Sequence, residues 1–202
     1  MTHFIKVSIT VYFFYMFTYG TWYFFHIIDF ANLRVDDGWN GSLVFLPHGA
    51  RVLMVCFFRY YSLPALYLAD ITGPSLLNHE QFDVTYVAGS NVAAIGCIAA
   101  VMISVELVKW SRITEGKFSF FKTVNFKNYK FLFLVIVLSS LLSGIMCNSI
   151  IALINDQINI DVLTVSRFMI GDFIGAVTVI AIMWVVFTTA IDRRMIISPE
   201  KD

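Results

Sequence analysis

The chain predicts an all-α integral membrane protein, a single domain over residues 1–202 built as a bundle of about six transmembrane helices. Three observations predict it. The composition is 58% hydrophobic and 14% charged, and the mean hydropathy is +0.76; soluble domains carry about 25% charged residues. The apolar residues gather into runs near the ~20-residue length that a bilayer core demands. The basic residues collect in alternate connections, as the positive-inside rule requires of a multi-pass chain.

The runs fall at 5–28, 42–58, 60–74, 84–108, 130–153 and 162–191. The first begins after Lys6 and has no A-x-A-like cleavage site, so it reads as a retained helix. The second and third are short and each carries a proline, Pro47 and Pro64, so they are expected to be kinked: a tilted hairpin or a re-entrant pair turning at Arg59. The first, fourth, fifth and sixth are long enough to span alone.

The connection 109–130 holds Lys109, Arg112, Lys117, Lys122, Lys127 and Lys130 against Glu115. It is therefore expected on the cytoplasmic side, with Lys6, Arg59, Arg193 and Arg194. The other connections are acidic, with Asp29, Asp36, Asp37, Glu80, Asp83, Asp156 and Asp161. Both termini then lie in the cytoplasm of a bacterial inner membrane. Phe118, Phe120, Phe121, Phe126 and Tyr129 interleave with the lysines of the basic loop. That mixture suits anionic lipid, or docking of a separate membrane or cytoplasmic protein.

Several classes are excluded from the expectation. A formal net charge of zero offers no bulk attraction to nucleic acid. Cys56, Cys97 and Cys147 are an odd, widely spaced set inside apolar runs, so neither a disulfide framework nor a structural zinc site is expected. No phosphate-binding loop, hydrolase elbow or H-x-x-x-H pair occurs. No enzyme activity, metal or cofactor is expected.

Candidate site residues are the polar groups inside the spans. Arg51 costs about 2.5–3.5 kcal/mol on insertion scales and so demands a partner, a polar cavity or a ligand. His48 lies three residues earlier, in Pro47-His48-Gly49-Ala50-Arg51. Two carboxylates compete as its partner: Asp172, favoured by depth, and Asp70. Asn91 and Asn148 are added on the expectation that they line the same central cavity. The set is read as an internal ion pair or a small-molecule site, and a pair can line a site. Gly171 and Gly175 have the small-xxx-small spacing of close helix packing.

Leu46-Pro47-His48-Gly49-Ala50-Arg51, the Leu63–Asp70 run, Ala94-Ile95-Gly96 and Gly171-Asp172-Phe173-Ile174-Gly175-Ala176 together resemble the bacterial membrane-associated sensor (MASE) domains of the first type. The four pieces occur in that family's order over roughly residues 41–190. Leu46 replaces the family's tryptophan and His48 its second proline. The resemblance implies a sensor-like module. Family members feed a cytoplasmic output domain, and here about ten residues follow the last run. Signalling through a separate protein is therefore expected, as an accessory or regulatory subunit of a membrane complex. The alternatives are a small-solute permease, a substrate-binding subunit of a vitamin-type transporter, or a structural assembly factor.

Overall fold

The computed structural model describes residues 2–28, 41–77, 84–111, 129–156 and 158–192. Most of the basic connection, the acidic segments at 29–40 and 78–83, and Arg193 and Arg194 lie outside the described residues. The described residues are helical, with no strand among them: α1 (Thr2–Ile27), α2 (Leu46–Phe58), a 3-10 turn (Arg59–Ser62), α3 (Leu63–Leu77), α4 (Val84–Trp110), α5 (Tyr129–Ile154) and α6 (Val162–Asp192).

About six spanning helices is more than these residues support. Four stretches are long and apolar enough to cross a membrane: Leu46–Leu76, Gly89–Trp110, Lys130–Ile154 and Val162–Thr189. α1 has the length, at 26 residues, but Thr and Tyr dilute its apolar character. α2 and α3 have 13 and 15 residues. At 1.5 Å per residue each is only about 20–23 Å long, short of a ~30 Å hydrocarbon core.

The Leu46–Leu76 stretch is not one straight rod. Arg51 Nη2 lies 2.6 Å from Asp70 Oδ1. Nineteen residues of straight helix would separate them by about 28 Å. The chain therefore reverses at Arg59–Ser62, and α2 and α3 form a hairpin. Arg59 has φ 52° and ψ −129°, the backbone of the first central residue in a type II′ turn, where glycine is usual.

The expected proline kinks are also corrected. Pro47 sits in the first turn of α2 and Pro64 is the second residue of α3. A first-turn proline loses no helical hydrogen bond, so both start helices instead of bending them. Pro74 is the one inside α3. Because α2 starts at Leu46, residues 41–45 form an irregular segment instead of the helix expected from residue 42.

The core draws buried apolar residues from all six helices, with α2 packed against α1, α4, α5 and α6. Val7, Val11, Tyr15 and Tyr19 recur every four residues and are buried along one face of α1. Phe13, Phe17 and Phe24 are exposed on the outside of that helix. Large exposed apolar side chains continue on the other helices, including Ile95, Phe133, Ile182 and Trp184. An apolar exterior of this kind is consistent with lipid contact.

Two glycines set the closest approach in the bundle. A Cβ on Gly171 would fall 1.8 Å from the Ser42 carbonyl oxygen, and one on Gly175 would fall 2.1 Å from that of Phe45. The spacing read as helix–helix packing thus also receives the irregular 42–45 segment. Phe45 N–H donates to the Gly171 carbonyl at 3.0 Å. Gly49 of α2 then seats against Ala176 and Val179 one turn further on.

Candidate functional site

Arg51 is held by three helices. Its Nε donates to Asp70 Oδ2 at 3.1 Å and its Nη2 to Asp70 Oδ1 at 2.6 Å. Nη2 also donates to the Tyr15 hydroxyl at 3.1 Å, and that hydroxyl donates to Asp70. The guanidinium lies over two rings, 5.6 Å from the centroid of Tyr15 and 5.4 Å from that of Phe45. A bidentate fork with a third hydrogen-bonded group is the arrangement that compensates a buried charge pair. The hairpin explains the partner: Arg51 precedes Arg59 by eight residues and Asp70 follows Ser62 by eight, so the reversal brings them level.

The preference for Asp172 as the partner of Arg51 is therefore corrected to Asp70. Asp172 meets His48 instead, with His48 Nδ1 3.2 Å from Asp172 Oδ2. His48 Nε2 lies 3.1 Å from Ser139 Oγ, which donates to the Ile136 carbonyl. The order Ser139–His48–Asp172 is that of a nucleophile, a base and an orienting acid. Ser139 and His48 are both at 0% exposure.

Arg51, Asp70 and Asp172 share a cavity of about 180 Å³ at the end of the bundle where α1 stops and α2 starts. Tyr19, Trp22, Phe45 and Phe168 supply its aromatic wall; Cys97 and Cys147 supply thiols. Trp22 Nε1–H donates to Ser42 Oγ at 3.0 Å, which ties α1 to the irregular segment at the mouth. Bundle sites are built this way, from side chains on facing helices around a space.

The two asparagines do not join this site. On α4 the cavity is walled by Ser90, Ala93, Ala94 and Cys97, and Asn91 is not among its lining residues. Asn148 is buried, and its side-chain amide donates to the Gly144 carbonyl one turn earlier at 2.7 Å. On α5 the cavity is reached by Ser143 and Cys147 instead. Sequence reasoning missed the aromatic wall and Tyr15. The signal for Tyr15 was present, since a polar-tipped ring occupies the buried four-residue stripe of α1. Trp22 and Phe168 carried no such mark.

A second space, about 710 Å³, is an open groove between α3 and α4. It is apolar apart from Glu106, whose carboxylate pairs with Arg59. It offers no converging polar groups. Among the described residues no group of three or more His, Cys, Asp or Glu is placed to hold a metal ion.

Fold and cavity together define an all-helical, multi-pass membrane protein with a polar, aromatic-walled cavity between its helices. No family model matches the chain, and no curated protein or solved structure is significantly similar to it.

Proposed function

We propose that this protein is a sensor-like accessory subunit of a bacterial inner-membrane complex. It binds a small molecule in the cavity and passes occupancy to a separate protein through α6. The observation that carries this reading is the course of α6. Its upper half brings Phe168 and Asp172 to the cavity wall. Its lower half exposes Ile182, Trp184, Val185, Val186 and Phe187. One continuous 31-residue helix thus joins a ligand-sized space to an uncovered apolar face. The likeness of the Leu46–Arg51 and Gly171–Ala176 runs to sensor domains points the same way, and these two runs pack against each other.

The orientation follows the charges. Lys6, Arg59, Lys109 and Lys130 belong to the end opposite the cavity, where α1 starts and α4 meets α5. By the positive-inside rule that end is cytoplasmic, and the cavity opens outward. In this reading α1, long enough at 26 residues though less apolar, crosses the membrane beside α4, α5 and α6, and the α2–α3 hairpin, apolar enough to lie in the membrane, enters from outside and returns. A permease would need a second route out of the cavity. Val52, Val55, Leu66, Val101, Val105 and Val135, all at 0% exposure, fill the bundle core instead. That packing favours a receptor over a conduit.

Photo-crosslinkers placed at Trp184 and Phe187, followed by purification from native membranes in mild detergent, test the reading. One protein should be captured at both sites. A monodisperse chain that captures nothing at either position overturns it, and solute uptake lost in a deletion strain would put the permease in its place.

A further inference from the structure

We propose that the cavity takes a small organic monocation, an ammonium group on a short apolar or aromatic body. The inference rests on reading the cavity as a ligand site, and it names the ligand's charge and chemistry.

Charge balance leads to it. The Arg51 charge is neutralised within its own cluster, because Asp70 receives two of its donors, one on each oxygen. Among the described residues Asp172 receives no hydrogen bond from a guanidinium or ammonium group; its ion-pair partner is His48, with 3.2 Å between Nδ1 and Oδ2. Its neighbours are the imidazole of His48 and the hydroxyl of Ser143. Among the described residues, no Lys or Arg other than Arg51 lines the cavity. With the His48 imidazole neutral, an ionised Asp172 leaves the described lining of the space with one net negative charge. Within a membrane a carboxylate paired only with a neutral imidazole is costly, and such residues mark ligand or ion sites.

The walls agree with that sign. Phe45 already lies beneath the Arg51 guanidinium. Trp22 and Phe168 line the same space as Asp172. Aromatic rings attract cations through their negative faces, most strongly when water is excluded, and ammonium recognition uses them. Aromatic rings and a carboxylate lining one space each favour a cation. An anion would meet an arginine already neutralised and a carboxylate that repels it.

Size narrows the class. The space measures about 180 Å³. It is below the ~300–1,000 Å³ of drug-sized sites. One short chain or one ring carrying an ammonium fits; a lipid or a peptide does not.

Titration calorimetry of the full chain in nanodiscs, against empty nanodiscs, tests the proposal with four probes. These are tetramethylammonium, phenethylammonium, the neutral 3-phenylpropanol and the anionic 3-phenylpropionate. Both cations should bind saturably, the alcohol at least tenfold more weakly than phenethylammonium, and the propionate not at all. Asp172→Asn should weaken both cations tenfold or more and leave the alcohol unchanged. Should Asp172→Asn fail to fold, Trp22→Leu at the mouth serves in its place and should weaken the cations more than the alcohol. Alcohol binding as tight as phenethylammonium binding, or preferential propionate binding, overturns the cation assignment while the ligand-cavity reading stands. Folded protein that binds none of the four overturns both.

Discussion

Two arginines in the same helical hairpin are both buried, at 5% exposure for Arg51 and 1% for Arg59, and each pairs with a carboxylate. Their surroundings differ. Arg51 uses both oxygens of Asp70, shares the Tyr15 hydroxyl, stacks on two rings and borders the cavity. Arg59 pairs with Glu106, whose side chain is 22% exposed at the edge of an open apolar groove, and its backbone has a positive φ. The first pair braces a wall between three helices. The second fastens a turn at the opposite end. A buried charge is thus not by itself a site; its second and third neighbours decide what it does.

The largest expected effect tests the first pair. Arg51→Ala leaves Asp70 charged and enclosed, and should cost about 3–5 kcal/mol of stability. The double change Arg51→Met with Asp70→Leu removes both charges and should recover most of that loss. Thermal unfolding in detergent measures both. A double variant as unstable as the single would mean that the pair is needed for more than charge compensation.

Gly171→Ala comes next. Its methyl group would collide with the Ser42 backbone, which cannot rotate away as a side chain could. Overpacking costs about 1–3 kcal/mol, and here the irregular segment beside Phe45 and Trp22 would be displaced. Lost stability together with weakened cavity binding is expected, whereas Gly96→Ala meets the flexible tip of Ile150 and should cost less. Equal losses in the two variants would break the link between the glycine crossing and the cavity.

Arg59 should respond more mildly than Arg51 and in a different pattern. Arg59→Ala loses the partner of Glu106 while keeping a Cβ at positive φ. Arg59→Gly loses the same pair and relieves the backbone, so it should be the more stable of the two by about 1 kcal/mol. Comparison of their unfolding midpoints isolates the turn's strain from the ion pair. Identical midpoints would remove backbone strain from the account of this end.

The helices and the need of Arg51 for a buried partner were legible, because apolar length and a charge inside an apolar run are local signals. α4, α5 and α6 begin and end within about two residues of their apolar runs. The partner of Arg51 was not local information. Depth along separate helices favoured Asp172; the turn at Arg59 was expected, but not that Arg51 and Asp70, each eight residues from the Arg59–Ser62 turn, would come level across it. Asn148 misled for the opposite reason: an asparagine in a helix can satisfy itself on the carbonyl one turn back, so its presence in a polar stripe does not imply a cavity. The role of Gly171 and Gly175 was half legible. Their spacing announced a close crossing but not that a non-helical segment would share it.

The smallest effect separates the helix that joins the two ends from the pairs that brace them. Asp161 caps α6: its carboxylate accepts the Thr164 backbone N–H at 2.7 Å, three residues on, where a helix start leaves donors unsatisfied. That hydrogen bond holds the exposed Asp161 carboxyl below the usual carboxylate range. A folded-state value below the unfolded one means the stabilisation is present above the unfolded value of about 3.9 and is lost as pH falls through the folded value. Asp161→Asn should keep the cap and lose its acid sensitivity, while Asp161→Ala should lose both. Unfolding midpoints at neutral pH and near pH 3 check this. The difference between wild type and Asp161→Asn should shift with pH, whereas wild type and Asp161→Ala should converge in acid. An Asp161→Ala variant that matches wild type at neutral pH would show that α6 is held at this end by Gly171, Gly175 and their contacts with residues 42–45, independently of its cap.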